Sequence, residues 1–270
     1  MGRQLSLSAL SDELSQVRTK KREFLDEIER IVPWEKWISI IKPYYYKGER
    51  GNKPYDLERM LRIYLVQNLY NLSDMAMVAE VIDSRAFSDF CGVESSNQVP
   101  DGDTLGRFRN ILMRNGIQQE LFAQVVELLM QRGLVHTVKV TAANEHDVTV
   151  TSELLTGDEE EVYGDSGYLG AEKRPEALKK NKAGKSVHYK INRRPSQSKN
   201  KSARSQAQIK RREHEKSSVR AKVEHVFAVV KLQLRFRKTR YRGLQKQTAK
   251  MNIMFAPANL ILADRPCLAA

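Results

Sequence analysis

The chain has 270 residues, 41% of them hydrophobic, and a formal net charge of +13, which is enough core for one large domain or two small ones. No apolar run is long enough to cross a membrane, and the first residues lack the apolar segment of a signal peptide. We therefore expect a cytoplasmic protein. The two cysteines are isolated, so neither a disulfide framework nor a zinc site is expected.

The first 132 residues are predicted to be entirely helical. Their apolar residues recur at helical spacing, and Pro33 and Gly116 end two of the segments. The predicted helices cover residues 9–31, a short stretch after Pro33, 56–70, 75–82 (capped by Ser73 or Asp74), 84–91, a segment capped by Asp103 or Thr104 that ends at Gly116, and 117–132.

The helix before Gly116 contains the first candidate DNA contacts. Leu105, Phe108 and Leu112 are expected to face the core, and Arg107 and Arg109 to face away from it. A capped helix start followed by two arginines suits an approach to phosphates. An ordinary surface helix with two exposed arginines explains the pattern equally well.

From Gly133 onward the pattern changes to alternating strands and helices. Residues 135–141 alternate in the manner of a strand, and Asp147 is expected to cap a helix over 148–155. A strand at 160–165, a helix at 171–181 and a strand at 186–191 follow. This order is typical of an α/β domain. We therefore divide the chain into a helical region, residues 1–132, and an α/β domain, residues 133–270.

The positive charge is concentrated in residues 171–250, which hold 26 Lys or Arg and 5 Asp or Glu, so that this stretch carries +21 and the remainder −8. Such asymmetry favours a polyanionic partner, and nucleic acid fits best. Residues 192–216 are polar enough to predict a mobile loop that orders on a polyanion. The candidate DNA-binding cations in and after this loop are Arg193, Arg194, Lys199, Lys201, Arg204, Lys210, Arg211, Arg212, Arg235 and Arg237.

Residues 217–238 are predicted to form an amphipathic helix. Its apolar face comprises Val219, Val223, Val226, Phe227, Val230 and Leu234. Arg220, Glu224 and Lys231 would fall within about 40° of one another along one edge of that face. A solvated Arg–Glu pair is the simpler explanation. A last helix, residues 245–262, contains Pro257, which should kink it or divide it in two.

A second carboxylate, Asp165 in YGDSGY, closes the strand predicted at 160–165. An aspartate at a strand end and a glutamate on a helix packed against the sheet can share Mg²⁺. Two such ions can activate a hydroxyl and stabilise the leaving oxygen of a phosphodiester. The arrangement needs a third carboxylate on the first strand of the domain.

Four segments, PDGDTLGRFR, NEHDVTVTSELL, YGDSGYLG and RAKVEHVFAVVK, resemble bacterial insertion-sequence transposases of the DDE class, and the resemblance covers nearly the whole chain. It implies an α+β protein, with an all-helical N-terminal region followed by an RNase H-like α/β domain and C-terminal helices. It assigns Asp165 and Glu224 as catalytic acids and ligands of two Mg²⁺ ions, and Arg220 and Lys231 as supporting residues. Double-stranded DNA (terminal inverted repeats and target), a homo-oligomer and nucleoid association are implied as well.

The sequence departs from the family at the first catalytic aspartate. In relatives that residue stands in a segment between the helix ending near Arg132 and the strand beginning near Val135. Here QRGLVHTVKV joins the two, and no Asp or Glu occurs between Glu127 and Glu145. We therefore expect an internally deleted, inactive copy. Glu145 and Asp147 are the nearest substitutes, although capping is the expected task of Asp147.

The main alternative is a DNA-binding protein without catalysis that competes with intact transposase. An RNA-binding protein would explain the charge but not the spacing of Asp165 and Glu224, and an unfolded remnant is a further possibility.

Overall fold

The structure, a computed structural model, describes residues 19–46, 53–129, 134–194 and 202–264. These residues are mostly helical and include a small two-stranded sheet, as in an α+β protein. The chain divides into two compact units, Met1–Asn115 and Gly116–Ala270. None of the helices in the described ranges is long and apolar enough to cross a membrane.

The first unit is built around a central helix, α3, most of whose residues are buried. Helices α2, α4, α5 and α6 all pack against it. The four N-cap residues Thr19, Asp56, Ser73 and Asp101 each accept a hydrogen bond from the backbone N–H three residues later. The helices are α1 Lys20–Ile31, α2 Trp34–Ile41, α3 Leu57–Leu69, α4 Asp74–Asp83, α5 Arg85–Cys91 and α6 Gly102–Arg114, with 3-10 turns at Lys42–Tyr44 and Ser96–Gln98.

The helices predicted for the first unit are confirmed with small shifts at their ends, except at the start of the first one. Thr19 is extended and is the N-cap residue of α1, so a single helix over 9–31 is wrong at that residue, and residues 9–18 lie outside the described ranges. Capping by Ser73 is also confirmed. Capping of α6 by Asp103 or Thr104 is wrong. Asp101 takes that position because its Oδ1 accepts the N–H of Thr104 at 2.6 Å, so α6 begins at Gly102.

The second unit surrounds its last helix, α10, with α7 and the C-terminal part of α9. Every residue of α10 from Asn252 to Leu262 is buried. The two strands are parallel, with Glu161 opposite His188 and Gly164 opposite Ile191. The elements are α7 Ile117–Leu129, α8 Thr151–Leu154, β1 Glu161–Gly164, β2 His188–Ile191, α9 Ala203–Ala228, a π-helical turn Val229–Gln233 and α10 Leu244–Asp264, with 3-10 turns at Asp147–Val150, Ser166–Tyr168 and Ala171–Lys173.

The strands predicted at 160–165 and 186–191 are confirmed, but the strand predicted at 135–141 is wrong. At Val135 a side chain pairs with the backbone instead. The fully buried amide of Asn259 on α10 accepts from Val135 N at 3.1 Å and donates to Val135 O at 2.6 Å. Alternation along the sequence cannot supply the neighbouring strand that a ladder needs.

Two helices predicted in the second unit are much shorter than expected. The helix at 171–181 is reduced to the turn Ala171–Lys173, because Arg174 precedes Pro175 and is held in an extended conformation. At 148–155 the chain forms Asp147–Val150 and then α8. Capping by Asp147 is wrong, since His146 is the N-cap residue and no side chain caps this turn.

The prediction of a mobile loop at 192–216 is wrong for residues 203–216, which form the first half of α9. Ser202 caps this helix by accepting from Ser205 N. The segment is rich in Ala, Gln, Lys, Arg and Glu, which are good helix formers, and its polarity indicated solvation rather than disorder. Residues 195–201 lie outside the described part of the chain.

The apolar face predicted for 217–238 is only half buried. Val226, Val230 and Leu234 are buried, whereas Val219, Val223 and Phe227 are 41–49% exposed. The π-helical turn also breaks the regular 100° spacing on which the alignment of Lys231 with Glu224 depended. The predicted division at Pro257 is wrong as well, because α10 continues through that residue.

Candidate functional site

Asp165 lies at the carboxyl end of the parallel strand pair, where ligands of α/β sheets generally bind. It directly follows the buried Gly164 and is itself exposed. Its Oδ1 accepts the N–H of Gly167 at 2.8 Å, so the carboxylate caps the turn Ser166–Tyr168. Strand β1 and this cap together fix the carboxylate at the sheet edge.

Gly164 permits the close packing beneath Asp165. A Cβ atom at this position would lie 2.8 Å from Ile191 Cδ1 on β2 and 3.1 Å from Tyr168 Cβ. The Ile191 side chain would have to rotate within a packed interior, and Tyr168 Cβ could give way only if the backbone of its turn moved. Close packing at the site therefore requires a glycine at the first glycine position of YGDSGY, Gly164.

Asp147 approaches the same turn. A Cβ atom built on Gly167 would lie 3.0 Å from Asp165 Oδ1 and 3.8 Å from Asp147 Oδ2. Burial raises the pKa of Tyr168, and the negative charges of Asp147 and Asp165 raise it further. Sequence reasoning assigned Asp147 to capping and missed this proximity, because it arises from the packing of two turns.

Glu224 lies on α9, which contacts β1. Its carboxylate pairs with Arg220 at 3.0 Å, with side-chain exposures of 64% and 33%. Lys231 is exposed within the π-helical turn. The structure thus carries Asp165 and Glu224 on two elements that touch, with Arg220 beside the glutamate.

The carboxylates do not complete a metal centre. Among the residues that the structure describes, no group of three His, Cys, Asp or Glu side chains could hold a metal ion. A two-metal phosphodiester site needs several oxygen ligands at short, fixed distances. Within the described ranges, the side chains therefore do not form the two-Mg²⁺ centre that the sequence resemblance implies.

Most of the candidate DNA-binding cations are solvent-exposed. In the second unit they lie on the first half of α9, just after β2, and in the segment after the π-helical turn. In the first unit, Arg107 is exposed on α6. Lys199 and Lys201 lie outside the described ranges. The exposed cations of the second unit are Arg193, Arg194, Arg204, Lys210, Arg211, Arg212, Arg235 and Arg237.

Arg109 differs from these cations because it is held inside the first unit. Its guanidinium pairs with Asp74 at 2.5 and 3.0 Å, and Gln67 donates to the same carboxylate at 2.7 Å. Burial alone raises the pKa of Asp74, but the bonds from Arg109 and Gln67 outweigh it and lower this pKa below its ordinary value. The expectation that Arg109 faces away from the helical core is therefore wrong, whereas Arg107 does so.

Two families of known proteins match the chain in succession. Residues 12–110 match the transposase domain (DUF772), and residues 124–260, more than half of the chain, match the transposase DDE domain. The first match falls within the first unit and the second within the second unit. No solved structure matches the chain. The chain therefore belongs to the DDE transposases of insertion sequences.

Proposed function

We propose that this protein binds the DNA of its insertion sequence but does not cut it. Residues 133–270 would be an RNase H-like domain that lacks its first strands, and residues 1–132 the helical N-terminal region. Both matched families are transposase domains, which supports DNA as the partner. The observation that supports the loss of cleavage is the absence of any Asp or Glu between Glu127 and Glu145, where the resemblance places the first catalytic aspartate.

DNA binding would depend chiefly on the first half of α9. Arg204, Lys210, Arg211 and Arg212 are exposed there, and Arg193 and Arg194 are exposed just after β2. Exposed cations on one helix can follow a phosphate backbone and displace its condensed counterions. The DNA would be double-stranded and would comprise the terminal inverted repeats and, in an active relative, the target. A homo-oligomer that pairs two element ends is part of this proposal.

Catalysis would fail for lack of a ligand. By resemblance to the family, Asp165, Glu224 and a further aspartate hold two Mg²⁺ ions, which support hydrolysis at the element end and strand transfer. Here Asp165 and Glu224 remain, and Arg220 beside Glu224 would contact phosphate or orient the carboxylate. Asp147, which approaches the turn capped by Asp165, is the residue best placed to substitute.

A chain that binds the element ends without cutting them would compete with an intact transposase. The competing chain would need the same DNA specificity but no catalytic metal centre. This is the regulatory version of the proposed function, and it predicts that adding the protein lowers transposition by an active relative.

The first test is DNA binding as a function of salt. We expect a steep fall in affinity for a terminal-repeat duplex as salt rises, and a slope that is shallower by about 0.9 for each phosphate contact removed. The variant replaces Arg204, Lys210, Arg211 and Arg212 with Ala. The control removes the same charge from exposed positions of the first unit, by replacing Lys20, Lys36, Lys53 and Arg114 with Ala. Equal effects of the two variants would contradict an α9-centred interface.

The second test is cleavage of the same duplex with Mg²⁺ or Mn²⁺. We expect binding without cleavage. Cleavage that Asp165→Ala abolishes would refute the proposed inactivity. If Asp147→Asn abolished it too while DNA binding persisted, Asp147 would have replaced the missing aspartate.

A further inference from the structure

A set of polar contacts joins the end of β2 to the middle of α9. Lys216 donates from Nζ to the carbonyl oxygen of Ile191 at 2.8 Å and to Glu213 Oε1 at 2.9 Å. Glu213 Oε2 accepts the backbone N–H of Arg193 at 2.9 Å. The two side chains thus bind each other, and each also binds the backbone at or just after the end of β2. Below, "the β2–α9 clamp" means Asn192, Glu213, Lys216 and Ser217.

Asn192 extends these contacts to the candidate site. Its side-chain amide donates to Ser217 Oγ at 3.1 Å, and its backbone N–H donates to Gly164 O at 2.9 Å. Gly164 directly precedes Asp165. A short series of hydrogen bonds therefore connects the carboxyl end of β1, through Asn192, to a point on α9 about two turns before Glu224.

The clamp is less exposed than the other ion pairs of α9. The side chains of Lys216 and Glu213 are 22% and 21% exposed, against 84% and 64% for Arg211 and Glu215, which pair within the same stretch of α9. Burial raises the pKa of Glu213, but the bonds from Lys216 and the backbone of Arg193 lower it more, so the pKa lies below its ordinary value. The carboxylate is therefore held in its charged form by partners on both elements.

Apolar packing contributes little to holding this part of α9. Val219 and Val223, which lie between the clamp and Glu224, are 41% and 49% exposed. Buried apolar residues return at Val226, after Glu224. The orientation of the intervening turns therefore depends on the clamp at one end and on packing against the core at the other.

We propose that Asn192, Glu213 and Lys216 are positioning residues that set the distance between Glu224 on α9 and Asp165 at the end of β1. That these two acids are the site carboxylates rests on the proposed function. A site of this kind must be held to within about 0.5 Å, which a helix anchored at a single end does not achieve. In an active relative with the same clamp, its loss would lower the rate of cleavage rather than DNA affinity.

The competing explanation is that Glu213 and Lys216 form an ordinary i,i+3 pair that stabilises the helix and nothing else. A charge swap separates the two. Glu213→Lys combined with Lys216→Glu restores the pair within α9. However, it places an ammonium group against the N–H of Arg193 and a carboxylate against the carbonyl oxygen of Ile191, so neither contact with β2 can form.

The test measures the separation of positions 165 and 224 in the full-length chain. Spin labels are attached through Asp165→Cys and Glu224→Cys. Cys267 is replaced by Ser, and the other native cysteine, Cys91, is kept because it is buried. Distances are obtained by double electron–electron resonance. We expect Glu213→Gln and the charge swap to shift and broaden the distance distribution, with unchanged helicity by circular dichroism. Glu215→Gln, the matched control on the same helix, should leave it unchanged.

A wild-type distribution in Glu213→Gln, or its restoration by the charge swap, would overturn the proposal. Ser217→Ala provides a milder variant in case Glu213→Gln unfolds the unit. It removes one hydrogen bond from Asn192, and we expect a smaller broadening, whereas no change would count against the clamp. DNA affinity is measured separately on unlabelled protein. If the wild-type chain did not bind DNA, the proposed function would be refuted, and the distance result would still stand.

Discussion

Two arginines, one in each unit, are held in different ways. In the first unit, Arg62 of α3 binds Glu29 of α1 as well as Glu58 of its own helix, and its side chain is 14% exposed. In the second unit, the pair Arg220–Glu224 lies within one helix and is far more exposed. A half-buried arginine that joins helices stabilises the fold, whereas an exposed one remains available for a ligand. Net charge alone therefore does not locate a DNA-binding surface.

The largest effect is expected from removing Arg62. This guanidinium also donates to Phe90 O at 3.1 Å and lies 4.3 Å from the Trp34 ring centroid. We expect Arg62→Ala to lower the free energy of unfolding of the first unit by about 3 kcal/mol, because the variant loses a largely buried side chain with its hydrogen bond to Phe90 and its packing against Trp34, as well as two ion pairs. Tryptophan fluorescence during urea unfolding measures this selectively, since the two tryptophans of the chain, Trp34 and Trp37, both lie in the first unit.

The exposed Arg114 provides the control for this measurement, because Arg114→Ala should change the unfolding free energy by less than about 0.5 kcal/mol. Equal losses in the two variants would show that Arg62 is not the centre of the network.

A second contrast concerns a glycine in each unit. Gly164→Ala forces a Cβ atom against Ile191 and Tyr168, and should destabilise the second unit by about 2 kcal/mol. Gly106→Ala, inside α6, meets its nearest atoms at 3.6 Å or more and should stabilise the first unit by about 0.5–1 kcal/mol. Hydrogen exchange of β1 and β2 peptides measures the former, and tryptophan fluorescence the latter. Unchanged exchange in Gly164→Ala would contradict the close packing at the site.

The Arg109–Asp74 pair predicts a pH dependence in the first unit. Folding lowers the pKa of Asp74. The contribution of this carboxylate to stability is therefore complete above its unfolded-state pKa, near 4, and is lost as the pH falls through its lower folded-state pKa. Asp74→Asn should cost about 1–2 kcal/mol at pH 7, and this cost should shrink below about pH 4. Tryptophan-monitored unfolding at several pH values checks it. A difference independent of pH would mean that Asp74 acts through its shape rather than its charge.

The smallest effect is expected at the surface pair of α9. Arg220→Ala should change the stability of the second unit by a few tenths of a kcal/mol, because Glu224 stays solvated. Hydrogen exchange of α9 peptides provides the measurement. If Arg220→Ala lowered the free energy of unfolding as much as Arg62→Ala does, the two arginines would not differ in their contribution to stability.

The sequence predicted those features of the fold that depend on residues close together in the chain. The periodicity of residues 57–69 and the capping serine at 73 were sufficient for α3 and α4. The turn-forming sequence after Tyr163 was sufficient to place Asp165 at a strand end. These features depend on neighbours within a few residues.

Contacts between distant residues could not be predicted in this way. Asp74 binds Arg109, which lies 35 residues away in the chain. Asp147 and Asp165 both approach Gly167 because two turns pack together. The helix at 203–216 was missed for a different reason. A polar sequence without an apolar face can still be helical when its residues are good helix formers and its cap is in place.

The packing of α7 against α10 has a consequence for how the second unit is made. These are its first and last helices, and the bond between Val135 and Asn259 spans 124 residues. As the chain leaves the ribosome, α7 must wait with its apolar face uncovered until α10 has been synthesised. The helices that pack most extensively on α3, namely α2, α4, α5 and α6, all lie within the first 115 residues, so this unit can close much earlier. Chaperone dependence and aggregation during synthesis should therefore arise mainly from the second unit.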